Sequence, residues 1–189
     1  MFQPDTNPRM FHWLKDRNRT GATALELYGS SVAQARSGVF YRELAVADSF
    51  SGRFDLVMLH VGLLARRLTV EGGAGKDLAR SLIERMFAAL DDDMRELGVG
   101  DLTVPKKIQA AAGTFYGRLA ALESAFGQPG AGGLEDVLTR NVTAAEGRVL
   151  SAASLAAYVR SAASLLAAQP FAQLQRGLAS FPKPEESLK

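Results

Sequence analysis

Apolar residues recur at three- and four-residue steps along most of the chain, and alternation at two-residue steps is nearly absent, so the pattern predicts helices and no sheet. From Phe54 to Leu68 the positions Leu56, Leu59, His60, Leu63, Leu64 and Leu68 draw the stripe of a core-facing helix. Glu71-Gly72-Gly73-Ala74-Gly75 ends it, because clustered glycines favour turns. A second stripe, Leu78, Leu82, Met86, Ala89, Leu90 and Leu97, marks a helix closed by Gly98. Pro105 suits the first turn of a third helix, where a missing N–H costs little, and Val104, Ile108, Ala112, Phe115, Leu119 and Leu122 form its stripe. The connection Val99–Thr103 is short, which predicts that these last two helices pack as an antiparallel hairpin.

Around this centre the pattern predicts an N-terminal arm over residues 1–21, a first helix from Ala22 to Arg36 halted at Gly38, and a short amphipathic piece from Val39 to Phe50. Asp48 or Ser51 can cap the helix that follows. Gly127 to Gly133 reads as a linker, followed by a helix near Leu134–Asn141, a longer one near Arg148–Ala168, a final piece between Phe171 and Phe181, and a tail over 182–189. The expectation is an all-α protein: one compact multi-helix domain over 22–181 with a central antiparallel helical hairpin. A chain of 189 residues buries enough surface for such a core without staples.

Composition narrows the chemistry. Cysteine is absent, which excludes disulfides, thiolate zinc sites and cysteine nucleophiles. The start lacks a signal-peptide pattern, and neither Leu56–Ala65 nor Val149–Ala168 reads as a membrane span, so a cytoplasmic location is expected. The formal charge of +2 conceals an asymmetry: Asp91, Asp92, Asp93, Glu96 and Asp101 face only Arg95 over residues 91–103, a local −4 that leaves +6 spread thinly elsewhere. Such dilution argues against a DNA-binding face but tolerates peripheral contact with anionic lipid.

The acidic cluster is the sharpest candidate. It sits at the C-terminal end of its helix, against the macrodipole, while Lys106 and Lys107 oppose the dipole at the start of the next. A hairpin would bring the two ends together, making Asp91 to Lys107 a neutralised structural corner or a partner surface. Alternatively, Asp92, Asp93 and Glu96 share one helical face and could hold Mg²⁺ against an isoprenoid diphosphate, in the manner of the aspartate-rich motif of all-α prenyl-diphosphate enzymes. No second such motif is present, and no metal or other cofactor is expected. His60 on an apolar face is a core histidine or a binding group, and His12 is the only other histidine. No serine has a histidine at catalytic spacing, and Gly98-Val99-Gly100 lacks the lysine of a P-loop. Phe115, Tyr116 and Arg118 combine aromatic and cationic groups beside apolar surface, as a peptide-binding groove does.

Phe40-Tyr41-Arg42-Glu43, Gly52-Arg53-Phe54-Asp55-Leu56, Leu59-His60 and Arg66-Arg67-Leu68, then the block from Asp91 to Lys107 and Phe115-Tyr116-Gly117-Arg118, resemble the ubiquinol–cytochrome c chaperone family over roughly residues 35–175. The resemblance implies a non-enzymatic assembly factor for the cytochrome bc1 complex with newly made cytochrome b as client. In mitochondrial members the ribosome and a small partner protein are further contacts. With that client, His60, Phe115, Tyr116 and Arg118 are the candidate binding residues. A helical interaction module with another client is the remaining alternative.

Overall fold

The computed structural model describes residues 8–127 and 133–188, with side chains from Arg19 onward. The described elements are helices joined by short connections: α1 (Pro8–Ala35), α2 (Gly38–Arg42), α3 (Phe50–Thr69), α4 (Gly73–Glu96), α5 (Val104–Gly127), α6 (Gly133–Asn141), α7 (Ala152–Ala168) and α8 (Phe171–Leu174), with a 3₁₀ turn at Pro184–Ser187. The only extended pairing among the described residues is a single antiparallel bridge between Val46 and Ala144.

Helix α3 lies at the centre. Leu56, Leu63, Leu64 and Leu68 are buried as the stripe requires, but so are Met58, Val61, Gly62 and Ala65 on its other sides. A helix apolar all round must be enclosed, and α1, α4, α5 and α7 all pack against this one. Phe87 of α4 meets Phe115 of α5 with ring centroids 5.9 Å apart, and further from the corner Lys76 and Arg80 share a groove with Glu123. The two helices therefore run antiparallel, as the short connection predicts.

Several boundaries differ from the sequence reading. Helix α1 starts at Pro8, so residues 8–21 are helical where an arm was expected; the charged run Lys15–Arg19 consists mostly of good helix formers and does not interrupt it. The linker expected at 127–133 lies for the most part outside the described residues. The amphipathic piece ends at Arg42, because Ala45 adopts φ +60° and turns the chain into the Val46 bridge. Ser49, neither Asp48 nor Ser51, caps α3 by accepting a hydrogen bond from the Gly52 N–H at 3.2 Å. Asp48 instead pairs with Arg53, and that pairing holds its carboxyl below the usual range. Helix α7 starts at Ala152, since Arg148 is drawn away to the carbonyls of Tyr41 and Arg42, and Ser151 N–H to that of Leu44. Residues 182–188 pack rather than trail: Pro184 is buried and the 3₁₀ turn rests on α7 and α2.

Two side chains fasten the end of α7. The Arg67 guanidinium donates to the carbonyls of Leu166 and Gln169 at 2.8 and 2.9 Å, placing a cation at the negative end of the helix. The Gln169 amide donates to Leu178 O and accepts from Ser180 N–H, holding the returning C-terminal segment.

Gly52 is where the fold is least tolerant. A Cβ there would lie 2.1 Å from the Ala47 carbonyl oxygen, and that segment is fixed by the Ala47 N–H bond to Thr143 O at 2.8 Å. Helix propensity alone favours alanine over glycine by up to about 1 kcal/mol, but forced overpacking costs about 1–3 kcal/mol. Gly52→Ala is expected to lower stability by about 2 kcal/mol in urea unfolding. Gly113→Ala, at a helical position with nothing within 4 Å of the added methyl, should raise it by up to about 1 kcal/mol.

Candidate functional site

Two concavities flank Leu119 of α5. The first is a small cavity of about 40 Å³ between α3, α5 and α6, walled by Met58, Gly62, Phe115, Leu122 and Leu138 among others. Asp55 and Arg118 line it too. Arg118 donates to one carboxylate oxygen of Asp55 at 2.5 Å, while the other accepts from both the Thr143 N–H at 2.9 Å and the Thr143 hydroxyl at 2.6 Å. One buried carboxylate thus ties α3 to α5 and to the segment after α6. A charge placed among apolar residues is stable only when paired and hydrogen-bonded, and this one is both.

The second is a wider groove of about 930 Å³ between α4 and α5, with Ala65 and Ala79 on its floor and Ile83, Leu119 and Tyr116 on its walls. Tyr116 is 55% exposed. Arg66 reaches Glu123 at 3.0 Å and lies 4.7 Å above the Phe126 ring.

The structure separates the four candidate binding residues. Phe115 is buried in the cavity wall and Arg118 is held by Asp55, whereas Tyr116 faces the neighbouring groove. His60 is fully buried and turned away from both, so a client does not reach its ring without opening the core. Its Nδ1 lies 2.7 Å from the Leu56 carbonyl, which can only accept, so Nδ1 carries the hydrogen. Nε2 then accepts from the Tyr158 hydroxyl at 2.7 Å. That hydroxyl accepts from the Gln34 amide at 3.0 Å, whose second hydrogen goes to Pro182 O at 2.8 Å. Phe40 and Phe181 stand edge-on to the imidazole. Burial lowers the His60 pKa to about 4, and the bond to Leu56 opposes this only in part. The side chain of His12 lies outside the described residues.

The acidic corner is built differently from the expected pairing across the hairpin. Arg95 bridges Asp91 and Asp101, and Arg85 comes within 3.7 Å of Asp92. Among the described residues neither Lys106 nor Lys107 forms an ion pair. The i,i+4 spacing of Asp91 and Arg95 on one helix is met without bending the chain, so the local pair forms in preference to the remote one. Among the described residues no group of three carboxylates or histidines is placed to hold a metal ion, so Asp92, Asp93 and Glu96 do not converge as the diphosphate alternative requires.

Sequence reasoning passed over Asp55, Thr143, Tyr158 and Gln34 as individual site residues. Asp55 carried a signal, a lone acid inside the apolar run Phe54-Asp55-Leu56. The others carried none, because their partners lie 88 to 124 residues away.

The ubiquinol-cytochrome C chaperone family matches residues 42–181, most of the chain and all of the elements that build the two concavities. The chain belongs to this family. The crystal structure of the Cbp3 homolog from Brucella abortus is similar to it with a TM-score of 0.81 and 30% identity, covering 94% of this chain and 98% of that one. The helical fold is therefore shared with an experimentally determined structure. Ubiquinol-cytochrome c reductase complex assembly factor 1 from Mus musculus is 27% identical over 93 residues, and its Xenopus laevis counterpart 24%. Those segments make up 49% of this chain but 32% and 46% of the relatives, so the chain spans less than half the length of the relatives it matches. Among the described residues no helix is long and apolar enough to cross a membrane.

Proposed function

We propose that this protein is a chaperone in the assembly of ubiquinol–cytochrome c reductase, the cytochrome bc1 complex, that its client is newly made cytochrome b, and that it acts without catalysis from the membrane periphery. The observation that carries the reading is the family match over residues 42–181 together with the fold likeness over 94% of the chain. The geometry supports it. His60, the obvious general base, has both ring nitrogens engaged inside the core, and Asp55 is saturated by Arg118 and Thr143. What remains open to a partner is apolar surface with a few charges at its edges, which suits a binding protein.

Deleting the gene tests the reading. Reduced-minus-oxidised spectra of the membranes should lose the cytochrome b signal, ubiquinol–cytochrome c reductase activity should fall with it, and the tagged chain should co-purify pulse-labelled cytochrome b. Unchanged spectra and activity in the deletion strain would remove this function.

A further inference from the structure

We propose that the α4–α5 groove receives one amphipathic helical segment of a protein partner, its apolar face on the groove floor and its carboxylates on Lys76 and Arg80. Antiparallel helices in close contact leave no such space. Here α5 meets α4 at Phe87 and Phe115, but towards the N-terminal end of α4 a groove opens between Ala79 and Ile83 of α4 and Leu119 of α5, with Ala65 of α3 also lining it. The result is a trough of about 930 Å³ with a mainly apolar lining, open along its length and flanked by exposed Tyr116 and Val70. An amphipathic helix laid into a groove buries its apolar face in this way.

The charges select the occupant. Lys76 and Arg80 stand one turn apart on the α4 rim of the groove, the same spacing that i,i+4 acids present on a helix. Among the described residues Lys76 has no ion-pair partner, and Arg80 has only Asp77 at 3.9 Å, both of them largely exposed. The opposite rim is closed to them, because Glu123 is taken by Arg66. Lys76 lies in the first turn of α4, which holds no acidic residue, so its charge adds to the positive end of the helix, with Asp77 the first acid to follow it. An acidic partner relieves that arrangement and a basic one worsens it. An anionic bilayer would bring its headgroups against Glu123 as well, whereas a helix can place its acids on the Lys76 and Arg80 rim alone, which favours a protein segment over lipid headgroups.

This inference rests on the chaperone reading in taking the partner to be a protein under assembly, and its test separates the two. Two fluorescent 18-residue helical peptides share one Leu/Ala face; one carries Glu at i,i+4 positions on its flank and the other Lys. The full chain should bind the Glu peptide at least tenfold more tightly, and Lys76→Glu with Arg80→Glu should reverse the preference while leaving circular dichroism and the unfolding midpoint unchanged. Equal binding of both peptides, or no reversal, overturns the proposal. So does binding of phosphatidylglycerol vesicles that the double variant loses while peptide preference is absent, since the groove edge would then be a lipid site. In cells, the double variant should fail to restore the cytochrome b spectrum to a deletion strain that the unaltered chain restores. If it restores the spectrum fully, the groove proposal fails and the chaperone reading stands; if the deletion itself leaves the spectrum intact, the chaperone reading fails.

Discussion

Arg118→Met is expected to lower the unfolding free energy by about 3 kcal/mol, because it leaves the Asp55 carboxylate buried against apolar walls with only Thr143 as partner. Methionine keeps the aliphatic stem and removes the guanidinium, so the loss reports the charge rather than the packing. Asp55→Ala should cost less, about 2 kcal/mol: the Arg118 side chain is a quarter exposed and can turn to water, while the Thr143 N–H and hydroxyl lose their acceptor. Combining Asp55→Leu with Arg118→Met removes both charges and fills the space with apolar atoms, so its cost should fall well short of the sum, with a coupling of about 1–3 kcal/mol. Urea unfolding of the three variants decides the matter. Should Arg118→Met cost less than about 0.5 kcal/mol, the pair would be behaving like an exposed surface bridge and would not be the tether of α5.

That tether bears on function because of where it lies. Beside the cavity α5 rests on α3 through Leu119 and Phe115 over Gly62, where the absent side chain leaves ordinary contact distances of 3.7 and 3.9 Å, respectively, for an added methyl. Small apolar contacts allow sliding, whereas a charge held by three hydrogen bonds does not. The Asp55 pair therefore anchors α5 against α3, on the side of Leu119 away from the groove. Phe115 and Arg118 lie on the cavity side of α5, and Tyr116 is the member of that run that lines the groove.

How much of this was legible in the sequence follows the range of each interaction. The hairpin was legible because stripes and a short connection act within about thirty residues. The enclosure of α3 was not: Met58, Val61 and Ala65 were plain to see, but a periodicity argument picks the strongest stripe and does not say how many neighbours surround the helix. The acidic corner was located by its residues, Arg95 among them, yet the pairing expected across the turn to Lys106 and Lys107 does not form, because Arg95 stands at i,i+4 from Asp91. His60 was visible as a histidine on an apolar face, but Tyr158 lies 98 residues away and Gln34 is 124 residues from Tyr158, and no local pattern links them. Positions fixed by remote partners become readable only once the fold has brought them together.

The largest pH effect should come from that buried histidine. In the unfolded chain an imidazole titrates near 6.5, whereas in the folded protein burial holds His60 at about 4. Above pH 6.5 both states are neutral and the group has no influence. As the pH falls from 6.5 to 4 the unfolded state takes up a proton that the folded state refuses, so stability declines by about 1.4 kcal/mol per pH unit, on the order of 3 kcal/mol in total, and levels off below 4. Carboxylate pairs such as Asp48 with Arg53 begin to weaken only as the pH falls below about 5, so the upper part of the interval, from 6.5 to about 5, isolates the histidine. His60→Gln should flatten the stability profile across this interval, and His12, common to both proteins, cancels from the difference. Tyr158→Phe offers a second route that keeps the imidazole: Nε2 loses its donor, and the protein should be destabilised by about 1–3 kcal/mol at neutral pH because a buried acceptor is left unsatisfied. The chemical shifts of the His60 ring followed from pH 7 to 4 give the direct check. A midpoint near 6.5 in the folded protein would mean that water reaches the ring, and the enclosed chain from Leu56 through Tyr158 and Gln34 to Pro182 would not hold as drawn.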